Sequence, residues 1–181
     1  MDDRLGNLFD TYEDKLYRLA RRLSANSEDA HDLVQETFLR AAQALSSIPA
    51  GAEAHAWLVR VLINIRRDQW RKRSVRARAA VLIGRPSDVV TATAESALIA
   101  KRAVWSALDA LAPRRRAIVV LSEIDGMSPH EIAQLLGLAL MTVRWHLSMA
   151  RRELKQALVE YLGEHDENVV RSAPRRRSAA R

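Results

Sequence analysis

The chain has 181 residues, a formal net charge of +7 and no cysteine, which excludes a disulfide framework, a thiolate metal site and a cysteine nucleophile. Hydrophobic residues make up 48% of the chain, with only six glycines and five prolines, and this balance favours a packed helical protein over a turn-rich β fold. The charged start of the chain and the lack of a long apolar run predict no signal peptide and no membrane insertion, so a cytoplasmic location is expected.

The positive charge is concentrated in one segment. Residues 57–78 carry eight basic and one acidic side chain, whereas residues 1–48 carry six basic and nine acidic side chains. A concentrated positive segment indicates a polyanionic partner, although a solvated basic face would give the same pattern. The acidic first segment indicates that a basic protein surface is a second partner.

Three amphipathic helices are predicted in the N-terminal part, over residues 4–23, 27–45 and 53–73, because apolar residues recur there at three- and four-residue steps. Asn26 precedes the second helix as a capping residue. The apolar stripe of the first helix consists of Leu5, Phe9, Tyr12, Leu16, Leu19 and Leu23.

The third helix has two faces of opposite character. Its predicted core face consists of Leu58, Val61, Leu62 and Ile65. The opposite face carries a row of polar side chains, which we call the basic row: Arg60, Asn64, Arg67 and Arg71. Arginine and asparagine in such a row suit contacts to phosphates and to an unstacked base. A solvated charged face is the alternative, and it is weakened because Asp68 is the single acid nearby.

The second helix presents a different outward face. The positions that the helical period turns away from the core are Asp32, Gln35, Glu36, Leu39 and Arg40. An outward leucine among charged neighbours indicates a docking surface for another protein rather than a face open to solvent. We call this set the docking face.

A helix-turn-helix is predicted over residues 128–158. Ser128 and Glu131 have the spacing of a capping box, and Gly137 can adopt the left-handed conformation that a tight interhelical turn needs. The second helix of such a motif enters the major groove of DNA. Its outward face, opposite the stripe that begins at Val143, includes Met141, Arg144, Trp145, Ser148 and Arg152. Trp145 suits contacts with thymine methyl groups or sugars, and the alternative is a patch for another helix or protein.

In order, these segments resemble the extracytoplasmic-function (ECF) group of bacterial sigma factors. Residues 29–41 look like the region 2.2 signature, residues 56–64 like the region 2.3–2.4 segment, and residues 111–133 like region 4. The resemblance implies an all-α protein of two small domains: a σ2-like helical bundle at 1–75 and a σ4-like helix-turn-helix domain at 96–162. A flexible linker at 76–95 and a disordered basic tail at 163–181 complete the expected organisation.

The resemblance also implies the partners. The docking face should bind the β′ clamp helices of core RNA polymerase, and the helix-turn-helix domain should bind its β flap. The basic row should hold the melted strand of the −10 element, with Asn64 reading a flipped base. The −35 element, as duplex, should be read by Thr142, Arg144, Trp145, Ser148 and Arg152. An anti-sigma protein is a usual further partner in this family.

Two other functions fit part of the pattern. A helix-turn-helix regulator acting without polymerase would not need the 29–41 signature, and a sigma-like decoy that binds an anti-sigma factor would not need the basic row. The five histidines show no metal-ligand spacing, and neither a phosphate-binding loop nor a nucleophile elbow is present. The sequence therefore predicts a protein that is not an enzyme, with no catalytic residue, metal or cofactor.

Overall fold

The protein is built from helices joined by short turns, and a computed structural model describes residues 3–82 and 96–172. The elements in chain order are α1 (Asp3–Leu23), α2 (Ser27–Gln43), a short 3-10 turn (Leu45–Ser47), α3 (Ala52–Leu82), α4 (Ser96–Ala110), α5 (Pro113–Val119), a π-helical turn (Val120–Ile124), α6 (Pro129–Leu136) and α7 (Leu140–Ser172). These two ranges contain no β-strand, so the prediction of an all-α fold with two helical regions is confirmed.

The N-terminal bundle consists of α1, α2 and α3, and each of the three helices packs against the other two. Asn26 caps α2 as predicted, because its side chain accepts a hydrogen bond from the backbone N–H of Asp29 at 2.7 Å. This contact satisfies a donor that the first turn of a helix leaves without an intrahelical partner. The fully buried leucines at the centre of the bundle are Leu16, Leu23, Leu33, Leu58 and Leu62.

The C-terminal region consists of α4 to α7, and α4, α5 and α6 all pack on α7. The predicted capping box is present: the Glu131 backbone N–H donates to the Ser128 hydroxyl at 3.3 Å, and the Ser128 backbone N–H donates to the Glu131 carboxylate at 2.7 Å. Gly137 ends α6 with a φ of +64°, the left-handed conformation expected for it. The helix-turn-helix therefore has the local geometry that the sequence predicts.

Two helices extend beyond their predicted ends. α3 continues to Leu82 rather than ending near residue 73, because the Ala- and Arg-rich sequence there has high helix propensity even without an apolar stripe. α7 continues to Ser172, through Gly163, whose cost inside a helix is only about 1 kcal/mol. The prediction of disorder from residue 163 is thus wrong up to Ser172. The rest of the expected linker (83–95) and tail (173–181) lie outside the described residues.

Phe9 does not take the core position predicted for it. Leu8 is buried instead, and Phe9 is 46% exposed, with its ring centroid 4.9 Å from that of Phe38. Leu8 and Phe9 each lie three or four residues from both Leu5 and Tyr12. Helical periodicity alone therefore does not show which of the two is buried. An exposed aromatic ring therefore lies beside α2.

The N-terminal bundle and the C-terminal region pack on each other through α3. α3 contacts α5 and α6, and the buried apolar side chains of both regions form one continuous cluster. Val59 and Ile63 are buried in addition to predicted core residues of α3, and both lie beside leucines of the C-terminal region. A second layer of helices thus covers part of the face that the sequence assigns to the basic row.

Candidate nucleic-acid interface

The predicted −35 residues share the outer face of α7. Arg144, Trp145, Ser148 and Arg152 are exposed and Thr142 is half-buried. Val143 and Leu147 point the other way, into the core, which fixes the rotation of the helix and turns these five side chains outward. The structure therefore brings the predicted set together at one accessible surface.

Trp145 is neither buried nor isolated. Half of its surface (52%) is exposed, and the guanidinium carbon of Arg115 lies 5.5 Å from its ring centroid, which is a cation–π distance. Arg115 also forms an ion pair with Glu153 of α7. The ring of His146 meets Trp145 edge-on, and burial, followed by Arg115 and Arg114, lowers the pKa of His146.

An open groove runs beside these residues. It is lined by Arg144, Leu147, Ser148, Arg151 and Arg152 of α7, together with Pro129 and Ser122. The Arg151 guanidinium donates to the Glu123 carboxylate at 2.7 Å. Arg115 and Arg151 are candidate contributors that were not among the predicted DNA-contacting residues. Arg151 is the sequence neighbour of the predicted Arg152, whereas Arg115 reaches this surface from α5 and no local pattern indicates it.

The basic row does not form a single open face. Arg60 is half-buried, and its Nη1 donates to the backbone carbonyl of Leu135 in α6 at 3.1 Å. Asn64 is also half-buried and lines a narrow cavity with Arg60, which is closed by Arg114, Leu136 and Leu138.

The other two members of the row lie beyond this contact. Arg71 is exposed, and Arg67 lies 3.6 Å from the carboxylate of Asp68, its neighbour in sequence. Arg60 and Asn64 are thus turned to the C-terminal region, Arg67 is half-buried, and Arg71 is exposed. The sequence places all four on the side of α3 opposite its predicted core face, but periodicity does not report what packs on that side from far along the chain.

The docking face is accessible and continuous. Asp32, Gln35 and Leu39 are exposed, with 58% of Leu39 accessible. Glu36 and Arg40 are partly exposed and form an ion pair one turn apart at 3.1 Å. The structure therefore presents an apolar leucine inside a ring of charged and polar groups.

Phe9 is a second exposed apolar side chain of the N-terminal bundle, next to α2. Its ring is exposed and contacts Phe38, the residue before Leu39. Phe9 was predicted to lie in the core. Leu8 and Phe9 fit the helical period equally well, so no sequence signal indicated that Phe9 is the exposed one.

In the part of the chain that the structure describes, no group of three or more His, Asp or Glu side chains could hold a metal ion. Among the same residues, no helix is long and apolar enough to cross a membrane.

Comparison with known families places these surfaces in context. Residues 8–76 match the model of sigma-70 region 2, and residues 101–154 match the model of sigma-70 region 4. The chain therefore belongs to the sigma-70 family, whose members are RNA polymerase sigma factors. The two matched segments correspond to the N-terminal bundle and to the helix-turn-helix region.

Curated relatives narrow the group. The chain is 36% identical to the RNA polymerase sigma-E factor of Streptomyces coelicolor over 82% of either chain. It is 37% identical to the ECF RNA polymerase sigma factor SigE of Mycolicibacterium smegmatis over 90% of its own length, and it spans 63% of that relative's length. The chain thus belongs to the ECF sigma factors, which confirms the resemblance.

Solved structures of similar fold include a sigma factor bound to an anti-sigma factor. The sigma factor RpoE of Bartonella quintana, in complex with the anti-sigma factor NepR, is 27% identical with a TM-score of 0.59, covering 83% of this chain and 93% of that one. CnrH, in complex with the cytosolic domain of CnrY, is 28% identical with a TM-score of 0.56, covering 86% of this chain and 88% of that one.

Proposed function

We propose that this chain binds core RNA polymerase and directs promoter-specific initiation by recognising −10 and −35 elements. The observation that carries the proposal is the presence, in one chain of the ECF group, of the charged docking face with its exposed Leu39 and of the cationic outer face of α7. A sigma factor needs both, because it must hold a protein and read DNA at once.

The docking face is our candidate for polymerase binding. Leu39 and Phe9 would fill an apolar contact, while Asp32 and Glu36 would meet cationic groups on the β′ clamp helices. This arrangement of a buried apolar anchor within a polar rim is the usual anatomy of a specific protein interface. The C-terminal region, residues 96–162, is our candidate for the β flap contact.

The outer face of α7 is our candidate for the −35 duplex. Arg144 and Arg152 are placed to contact phosphates or guanine edges, and Trp145 offers an apolar surface to thymine methyl groups. Thr142 and Ser148 add short hydrogen-bonding groups at the same surface.

The basic row is our candidate for the melted −10 strand. Asn64 has a side-chain amide that suits a base edge, and Arg60, Arg67 and Arg71 supply cations for the backbone around it. We assign these roles to a bundle of residues 1–75, joined through 76–95 to the helix-turn-helix domain of residues 96–162. An anti-sigma protein is a further proposed partner, consistent with the complex of RpoE with the anti-sigma factor NepR.

Two statements follow from the proposed partners. The chain would act in the cytoplasm, where core RNA polymerase and promoter DNA meet. It would not itself be an enzyme, since nucleotide addition belongs to the polymerase. A helix-turn-helix regulator that acts without polymerase is disfavoured, because residues 8–76 match region 2 of a sigma factor.

The test is run-off transcription with purified core polymerase, this chain and a library of genomic fragments from the source organism. We expect discrete transcripts that are absent without the chain and absent with the Leu39→Asp variant. The matched control is Ala50→Asp, which places the same charge at an exposed residue of the N-terminal bundle outside the docking face. A library that yields no promoter-dependent transcript would defeat the proposal.

A further inference from the structure

Two large apolar side chains lie exposed on the outer face of α7, one helical turn apart. Met141 is 69% exposed and Trp145 is 52% exposed. Among the residues whose side chains the structure describes, no large apolar side chain is more exposed than Met141. Residues four apart in a helix lie one above the other, about 6 Å apart along the axis, so the two form one apolar strip. We call it the Met–Trp strip.

The fold places this strip at the end of α7 that contacts bases in a helix-turn-helix. Val143 and Leu147 are buried on the opposite side, which fixes the rotation of the helix. Met141 is the second residue of α7 and follows the turn that begins at Gly137. The N-terminal residues of the second helix contact base edges in the major groove. The strip therefore lies where the bases are read.

The charges around the strip select the kind of partner. Arg144 and Arg152 are exposed on the same face, and the guanidinium carbon of Arg115 lies 5.5 Å from the centroid of the Trp145 ring. Apolar surface flanked by cations favours an anionic partner that also offers apolar groups. Duplex DNA is such a partner, because its phosphates supply the charge and its major groove displays the C5-methyl group of each thymine.

Met141 is unsuited to reading hydrogen bonds. Its thioether sulfur is a weak acceptor and the side chain has no donor, whereas its flexibility lets it adapt to an apolar neighbour. The indole of Trp145 has one N–H donor, but most of its surface is apolar. Side chains of this kind distinguish bases by the presence of a methyl group rather than by the pattern of donors and acceptors.

We propose that the Met–Trp strip makes α7 a reader of pyrimidine methyl groups, and that the −35 duplex bound by this chain carries two thymines within three consecutive positions. Base pairs are about 3.4 Å apart along the duplex, so a strip of about 6 Å reaches methyl groups one or two steps apart. The inference rests on the proposed function, because it names the sequence class that the −35 face takes. It adds Met141 to the residues that determine specificity.

The contribution of each methyl group can be stated as a ratio of affinities. Burying one apolar group of the size of a methylene should strengthen binding about fourfold, so two thymine methyl groups should contribute about fifteenfold. Reading by hydrogen bonds alone would leave the affinity unchanged when the methyl groups are removed, since uracil presents the same O4 acceptor as thymine.

The first experiment selects duplexes from a random DNA library with the full-length chain. Their affinities are then measured by fluorescence anisotropy, and the enriched duplexes are expected to contain the thymine pair. The same duplexes are synthesised with deoxyuridine at both positions, which removes only the two methyl groups, and we expect about fifteenfold weaker binding. A duplex with cytosines at these positions should also bind weakly, and its 5-methylcytosine counterpart should bind more tightly by a comparable factor.

Two substitutions at one position test the role of Met141. Met141→Gln keeps the length and the helix propensity of the side chain but ends it in an amide, so the ratio of thymine to deoxyuridine affinity should fall to about four. Met141→Leu stays apolar and should keep most of the ratio. Because Met141 is largely exposed, neither change disturbs the core. Arg152→Ala is the matched control, which should weaken the binding of both duplexes equally and keep the ratio.

Equal affinities for the thymine and deoxyuridine duplexes, or a Met141→Gln variant that keeps the full ratio, would overturn the proposal and favour a protein contact for the strip. None of these measurements uses polymerase. Transcripts in the run-off assay together with equal affinities would retain the proposed function and remove this inference. A methyl-dependent duplex affinity without transcripts would retain the reading of methyl groups and remove the sigma function.

Discussion

For Trp145, a role in DNA reading and a role in packing predict different effects of substitution on duplex affinity and on the free energy of unfolding. The Trp145→Ala change removes the stacking of Arg115, and a cation–π contact at an exposed site contributes about 0.5–1 kcal/mol. Since half of the side chain is already in solvent and Arg115 keeps its ion pair with Glu153, the free energy of unfolding should fall by about 1 kcal/mol at most.

The same change should cost more in DNA binding. An apolar contact with thymine methyl groups or sugars, made over the exposed half of the ring, contributes about 1–2 kcal/mol, since a good base contact discriminates by about 1–3 kcal/mol. We therefore expect a roughly five- to thirtyfold loss of affinity. The duplex used should be a promoter on which the chain supports run-off transcription.

Two measurements on one variant decide between the roles. Fluorescence anisotropy gives the duplex affinity, and urea denaturation gives the free energy of unfolding. Val159→Ala is the control, because Val159 is similarly exposed on α7 but lies beyond the proposed contacts. A loss of stability larger than the loss of binding free energy, or a binding loss equal to that of the control, would show that Trp145 is a packing residue and refute the reading.

Three further predictions address the other surfaces. Asp32→Lys should weaken core-polymerase binding at least tenfold in a pull-down titration (about 1.4 kcal/mol) and leave duplex affinity unchanged. The control Asp14→Lys on α1 should change neither affinity. Equal losses of polymerase and duplex affinity in Asp32→Lys would contradict the docking role. Asn64→Ala should change base preference at the −10 element in a promoter library, and an unchanged preference would defeat that assignment. The pKa values of His55 and His146 are lowered, first by burial and then by nearby cations. The folded state therefore resists protonation of these imidazoles. Their contribution to the free energy of unfolding is fully present above the ordinary imidazole pKa of about 6.5 and is lost as the pH falls below it toward the lowered values. In His146→Gln, the melting temperature should fall less steeply with decreasing pH than in the unchanged chain. An unaltered dependence of the melting temperature on pH would contradict the assignment.

The helix-turn-helix could be predicted almost completely because its determinants are local. The Ser128–Glu131 capping box spans three residues, and Gly137 reports a backbone conformation at its own position. Both signals depend on neighbours along the chain rather than on distant packing. The rotation of α7 follows in turn from a periodic stripe that includes Val143 and Leu147, which explains why its outward residues were also placed correctly.

The environment of the basic row could not be predicted in the same way. The contact of Arg60 with Leu135 joins residues 75 positions apart, and Arg116 reaches Arg22 across 94 positions. Helical periodicity identifies which side of α3 faces its own bundle, but it carries no information on a second layer of helices. Phe9 was misplaced for a related reason, since two positions satisfied the same period and only packing chose Leu8.

Arg60 can exchange its bond to a neutral carbonyl for a bond to phosphate, but the exchange must also offset the apolar packing between α3 and α6. A free single strand at low concentration does this poorly. Once α7 holds the duplex and the docking face holds polymerase, the melted strand lies nearby at an effective concentration in the millimolar range for a short tether, about a thousandfold above a micromolar free strand. That factor corresponds to about 4 kcal/mol. Promoter specificity in this chain would thus come from the order of contacts as much as from the strength of any one of them.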